Sequence, residues 1–292
     1  MRILRLLSAV LALALMAAAC GDDIERLAGD DSITVHTVDS GPCGGFCIPT
    51  VTFNSDREVF SDLRVRQAIA HAVNRDQIVA QVLFGQGRVA TGPISSQMAF
   101  AYSDDVTTYP YDVEKADTLL DEAGYTGDGT RFSIDLLVFS SGFLETQYAE
   151  VVRQNLAEVG IDVEVVSIDR STFIRRVFGE RDFDTNIISY CNNTDPSIGV
   201  ARIYVSSNIG DIPYSNGAAY SNPRIDELFD AAASTPDVSR RGELYGEIQQ
   251  ILTAELPYLW LVETQFTAAS DANVAGLQPH SGQVAETAYF EE

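Results

Sequence analysis

Apolar positions along the chain fall into two alternating rhythms, one of period 3.6 and one of near-continuous short runs. The clearest helical stretch begins at Asp62, an N-cap, after which Val65, Ile69, Ala72 and Val73 share one face. Asn74 and Asp76 cap again, and Ile78, Val79, Val82 and Leu83 make a second, shorter face that Gly85 and Gly87 end. Gly92-Pro93 then predicts a turn, followed by a long loop over 95–111. Asp112 caps a helix whose buried face is Val113, Ala116, Leu119, Leu120 and Ala123, stopped by Gly124. Another helix aligns Tyr148, Val152, Leu156 and Val159 and ends at Gly160. A shorter one is read over 171–178, and two more follow the caps Asn222 (with Pro223) and Asp237.

Between these helices lie the strand-like runs. Residues 33–38 alternate as a half-buried strand does, 50–53 is short, and 132–139 and 161–168 are strong. Residues 183–190 form a third strong run, and 258–262, containing Trp260, a last one. Strand–helix alternation predicts an α/β fold with a parallel or mixed sheet flanked by helices. The stretch 191–220 is irregular, and long loops of this kind in compact domains often carry function.

The first nineteen residues stand outside this pattern. Arg2 and Arg5 precede an apolar run, 6–16, and then Ala17-Ala18-Ala19-Cys20 resembles a bacterial lipoprotein cleavage box, which makes Cys20 the lipidation site. A plain secretory signal is the alternative, and export follows from either. Residues 20–32 read as a linker. In an exported chain the close pair Cys43 and Cys47 is expected to form a disulfide, with Cys191 left buried or free. A zinc site on the same pair lacks further ligands, because His36, His71 and His280 show no ligand spacing.

Charge and motifs then remove whole classes of function. The formal net charge of −23 and the absence of a clustered Lys/Arg face argue against a nucleic-acid partner. No phosphate-cradling glycine loop, nucleophile elbow or metal-type His/Glu cluster is present, so neither an enzyme, a cofactor nor a metal is expected.

Against this background, RVRQAIAHAVNRDQIVAQVLFGQGRVATGPI resembles the most recognisable segment of the solute-binding proteins of peptide/nickel-type ABC importers, the dipeptide- and oligopeptide-binding class. YPYDVEKADTLLDEAGY, YSNPRIDELFDAA, RRGELYGEIQQIL, LPYLWL and NVAGLQP are similar to the later pieces of that family, in the same order. The resemblance implies the second lobe of a periplasmic-binding-protein type II fold, at 33–262, with a tail, 263–292, that in the family returns to the first lobe. It implies that most of the first lobe is missing, since IERLAGDDSITVHTV looks like the crossover between lobes, and that the final strand and tail lack an evident sheet to join.

Functionally, the resemblance implies a lipid-anchored extracytoplasmic protein. Such a protein binds a peptide or similar small solute and delivers it to ABC permease subunits. A non-transporting interaction module or non-functional remnant is the alternative. In peptide-binding members an acid four residues before a proline, just after the third strand, holds the ligand's α-ammonium. Here the proline is Pro196 and the matching residue is Asn192, which offers a hydrogen bond but no charge. Tyr190, Cys191, Asn192, Asn193 and Asp195 are the candidate ligand contacts.

Overall fold

The computed structural model describes residues 26–38, 47–127, 129–264, 266–275 and 289–290. Cys20 and Cys43 lie outside them. Eleven strands are described: β1 (Ile33–Val38), β2 (Cys47–Phe53), β3 (Gly87–Val89), β4 (Phe132–Phe139), β5 (Ile161–Ile168), β6 (Thr185–Cys191), β7 (Tyr258–Trp260), β8 (Val262–Thr264), β9 (Phe266–Asp271), β10 (Val274–Ala275) and β11 (Tyr289–Phe290). The helices are α1 (Leu63–Ala72), α2 (Arg75–Gln81), α3 (Val113–Glu122), α4 (Phe143–Glu158), α5 (Arg170–Ile174), α6 (Pro196–Gly199), α7 (Ala201–Tyr204), α8 (Pro223–Ser234) and α9 (Val238–Glu255).

The caps read from the sequence are the caps observed. Asp62, Asn74, Asp112, Asn222 and Asp237 each accept a hydrogen bond from a backbone N–H in the first turn of the following helix, at 2.8–3.0 Å. Each satisfies a donor that the helix itself leaves unpaired. Gly85, at φ +80°, accepts the left-handed turn that follows α2.

The main sheet has the order β5-β4-β6-β2-β7. It is mixed: β4 runs parallel to both β5 and β6, whereas β2 is antiparallel to β6 and β7. Its central strands are buried on both faces. In β4, Ile134 and 136–139 are buried, and in β2 every residue from Ile48 to Phe53 is buried. The edge strand β5 alternates instead, Ile161 and Val163 inward and Asp162 and Glu164 outward.

The chain moves from β4 to its neighbour β5 on one side, then back across β4 to β6 on the other. Right-handed crossovers running in opposite directions lay α4 on one face of the sheet and the α5 segment on the other. Phe173 of α5 packs on Phe139 at the end of β4, with ring centroids 4.2 Å apart. This reversal puts the topological switch point of the sheet between the adjacent strands β4 and β6, at their carboxyl ends.

Several elements differ from the sequence reading. The run 258–262 splits: β7 joins β2 at the edge of the main sheet, while β8 turns away to pair with β3. β9 pairs with β1, so the final strands do find partners within the chain. The helix read over 171–178 is α5 followed by a wider π-type turn over Arg175–Glu180. The irregular stretch 191–220 contains α6 and α7.

Arg75 ties these layers together from the first turn of α2. Its guanidinium donates to the carbonyls of Ala90 at 3.0 Å, Trp260 at 3.2 Å and Tyr109 at 2.5 Å. Burial lowers its pKa to about 10, and three carbonyl acceptors keep the charged form tolerable there.

Candidate functional site

β6 ends at Cys191, and the next four residues lead into α6, so the candidate contacts sit where a parallel strand meets its following loop. The structure gives each of the five a distinct fate. Tyr190 points into the core, 4% exposed, edge-on to Tyr258 with centroids 6.0 Å apart. Its hydroxyl donates to the carbonyl of Ser215 at 3.4 Å, and burial pushes its phenol well above the ordinary range. Tyr190 is a core residue.

Cys191 pairs with Cys47. The two residues are register partners on β2 and β6, and a disulfide joins them across a sequence separation of 144. This corrects the expected Cys43–Cys47 ring and the expectation that Cys191 is left over. The antiparallel register brings Cys47 opposite Cys191, and only the strand pairing shows this. It also takes the Cys191 thiol away from any ligand.

Asn192 is 1% exposed and spends its amide on a neighbouring loop. Its Oδ1 accepts from the Ser95 N–H at 2.7 Å, and its Nδ2 donates to the Pro93 carbonyl at 2.9 Å. The same loop is held from its other side by Glu263 of β8. Glu263 Oε2 accepts from Ser95 Oγ at 3.0 Å, Ser96 Oγ at 2.7 Å and the Ser96 N–H at 3.1 Å, while Oε1 accepts from Arg88 Nη2 at 3.0 Å. The Glu263 side chain is only 8% exposed, and this set of donors is what makes a buried carboxylate affordable in free energy. Asn192, Ser95, Ser96 and Glu263 thus form one polar buckle binding β6, the 93–96 loop and β8.

Asp195 caps α6, accepting at Oδ1 from the Ser197 N–H at 2.9 Å and Ser197 Oγ at 2.7 Å. It also reaches α9, where Tyr245 Oη donates to Oδ1 at 2.6 Å and Arg241 Nη2 meets Oδ2 at 2.7 Å. Desolvation raises its pKa, but the hydrogen bonds from Tyr245 and Ser197 and the Arg241 charge outweigh it, leaving the carboxyl below its ordinary range. A depressed folded-state pKa means stability that is present above the unfolded value and lost as pH falls through the folded one. Asp195→Asn is accordingly expected to cost about 1–2 kcal/mol at neutral pH. The gap from the wild type should narrow as pH falls below about 4 and the Asp195 carboxylate takes up its proton. Urea melts of the two proteins at pH 7 and pH 3 check this, and an equal gap at both would contradict it.

Asn193 remains. It adopts the left-handed backbone at φ 53° and is half-buried, and its side chain makes no hydrogen bond among the described residues. Of the five candidates it alone has a side chain uncommitted to the core, the disulfide, the buckle or the α6–α9 contacts of Asp195. At the same end of the sheet Ser140 and Ser141, just after β4, are exposed, and the Ser189 hydroxyl donates to Glu145 Oε1 of α4 at 3.3 Å.

Reasoning from the sequence missed Glu263 and Ser95, which hold Asn192 and its neighbouring loop in place. Glu263 had a readable signal, a lone carboxylate inside the apolar run LWLVET, since such a charge must find partners. Among the described residues no group of three His, Cys, Asp or Glu is arranged to hold a metal ion, and no helix is long and apolar enough to cross a membrane.

Comparison with known proteins places this architecture. The model of the family described as "Bacterial extracellular solute-binding proteins, family 5 Middle" matches residues 15–211. Heme-binding protein A of Haemophilus influenzae is 30% identical over 217 residues, 74% of this chain and 39% of the relative. Glutathione-binding protein GsiB of Shigella flexneri is 28% identical over 239 residues, 80% of this chain and 46% of that protein. The oligopeptide-binding protein AppA of Bacillus subtilis, solved with a nonapeptide, superposes with a TM-score of 0.78 at 25% identity, covering 93% of this chain and 55% of AppA. The chain therefore spans less than half the length of these two curated relatives, which are named as binding proteins rather than enzymes. With the family model matching more than half of its residues, the chain belongs to the bacterial extracellular solute-binding proteins of family 5.

Proposed function

We propose that this protein is the extracytoplasmic solute-binding component of an ABC importer, capturing a peptide or similar small solute and presenting it to the permease. The observation that supports the reading is the fold, a mixed sheet in which β4, β5 and β6 run parallel, shared with AppA solved with its nonapeptide. Relatives named for heme and glutathione widen the range of solutes beyond peptides. The committed amide of Asn192 and the ion-paired Asp195 favour a ligand that is not held by its ammonium at this strand end. Binding works by closure of a cleft on the ligand, the closed form docking on the permease. In this reading 33–262 form the second lobe, and 263–292 lead back towards a first one.

Calorimetric titration of the protein with tripeptide pools and with glutathione tests the binding function. Micromolar affinity for at least one supports it. Absence of heat from all of them refutes it and favours the non-transporting interaction module, a reading that the partial coverage of the relatives also motivates.

Anchoring through a lipid on Cys20 is part of the same proposal. In a bacterial host, labelled palmitate is expected on the wild type and absent from Cys20→Ala. An unlabelled wild type would leave a plain secretory signal.

A further inference from the structure

The end of β6 carries two successive attachments. Cys191 is bound to Cys47 through the disulfide, and Asn192 holds the 93–96 loop through Ser95 and Pro93. α6 is seated on the same two residues, since any Cβ at Gly199 would strike the Cys191 and Asn192 carbonyls. Whatever fixes Cys191 therefore fixes a loop and a helix as well.

The bridge occupies the last rung of the β2–β6 ladder, and the rungs from Ile48–Tyr190 to Phe53–Thr185 continue without it. On its other side β2 is paired with β7 only at Thr50, Val51 and Thr52, so among the described residues Cys47 has a strand partner on one side alone. Every residue of β2 from Ile48 to Phe53 is buried, and so are Tyr190 and Asn192 on either side of Cys191. Cys47 and Cys191 are both half-buried. The disulfide is thus the point at which an otherwise buried stretch of ladder meets solvent. Access governs how readily a thiolate attacks a disulfide, and exposed bridges are the labile ones. The same placement leaves the sheet able to outlast the bridge. Opening it returns loop entropy to the unfolded chain and removes no part of the apolar core.

We propose that the Cys47–Cys191 bridge is a redox clasp, opened in the folded protein by a small dithiol or a dithiol oxidoreductase. Opening it loosens the end of β6 together with the 93–96 loop and α6. A thiolate of the reductant attacks one sulfur of the bridge, the S–S bond breaks, and the other cysteine leaves as a thiolate that takes up a proton. The second thiol of the reductant then attacks the mixed disulfide and releases the remaining cysteine, which is protonated in turn. Two electrons pass to the protein, which ends with two thiols, and the reductant ends as a disulfide. Asn193, the candidate contact with a free side chain, lies two residues past the clasp. The inference goes beyond the solute-binding reading, and its test reads thiols and strand order, so it stands or falls independently of that reading.

The full chain is treated with millimolar dithiothreitol at about pH 8, where thiols begin to ionise, without denaturant. Free thiols are trapped with iodoacetamide and located by peptide mapping. Alkylation of both Cys47 and Cys191 is expected while circular dichroism still reports the native fold. Hydrogen exchange at Ser95, Ser96 and 190–192 should then quicken about tenfold or more, as in a segment that opens locally, while α3 stays unchanged. Cys47→Ser with Cys191→Ser should show the same pattern without reductant. A bridge that stays closed until denaturant is added overturns the proposal. So does a reduction that unfolds the whole chain, or a reduced protein whose exchange at these positions equals that of the oxidised one.

Discussion

Gly199→Ala is expected to destabilise the protein by about 3 kcal/mol or more, the range of substitutions that force a backbone to move. A Cβ at this position would overlap the carbonyl carbon and oxygen of Asn192 and lie 2.6 Å from the Cys191 carbonyl oxygen. Backbone atoms of a strand end cannot swing aside as a flexible side chain can. Relief requires either α6 or the end of β6 to shift. Because Asn192 is locked to Ser95 and Pro93, the shift would be transmitted into the 93–96 loop. Chemical denaturation measures the loss. Amide shifts at Asn192, Ser95 and Ser96 should move more than those of α3, which lies in another layer. A variant as stable as the wild type would mean that α6 does not pack on β6 as described.

The double substitution Cys47→Ser with Cys191→Ser is expected to lower stability by about 2–4 kcal/mol, chiefly by freeing a long loop in the unfolded chain. The separation of 144 residues places this bridge among the more effective loop closures, as the entropic cost grows with the logarithm of loop length. Peptide mapping under non-reducing conditions should recover Cys47 and Cys191 in one linked fragment. Recovery of a Cys43–Cys47 fragment would reinstate the pairing that sequence proximity suggests. Thermal melts with and without reductant should differ in the wild type and coincide in the double variant.

Features that depend on a few adjacent residues were legible from the chain alone. The caps at Asp62, Asn74, Asp112, Asn222 and Asp237 are local events between a side chain and an N–H two or three residues on, and each lies where the sequence puts it. The largely apolar runs of β4 and β6 likewise announce central strands of a covered sheet. Asp195-Pro196 carries the same cap-and-proline signal as Asn222-Pro223, but it opens a helix of four residues, too short to show an apolar period.

What was not legible required register or long-range packing. The partner of Cys47 depends on how β2 lies against β6, more than a hundred residues away. The candidate site suffered similarly. Five consecutive-looking residues at a strand end have five different roles, because neighbouring side chains on a strand face opposite layers and the loop beyond is claimed by α6, α9 and the 93–96 loop.

The position of β2 has a consequence for how the chain reaches this state. It lies between β6 and β7, yet it precedes both in sequence, by about 138 and 210 residues at the paired positions of Thr50 with Ile188 and Trp260. The segment β4–α4–β5–β6 is nearly contiguous and forms by short loop closures, whereas β2 waits for both of its neighbours, and contacts of such high sequence separation form slowly. The run CIPTVTF is thus synthesised before both of its ladder partners and is one of the last strands to find its ladder. Until then it is an unpaired apolar edge, the segment whose protection by chaperones would govern yield.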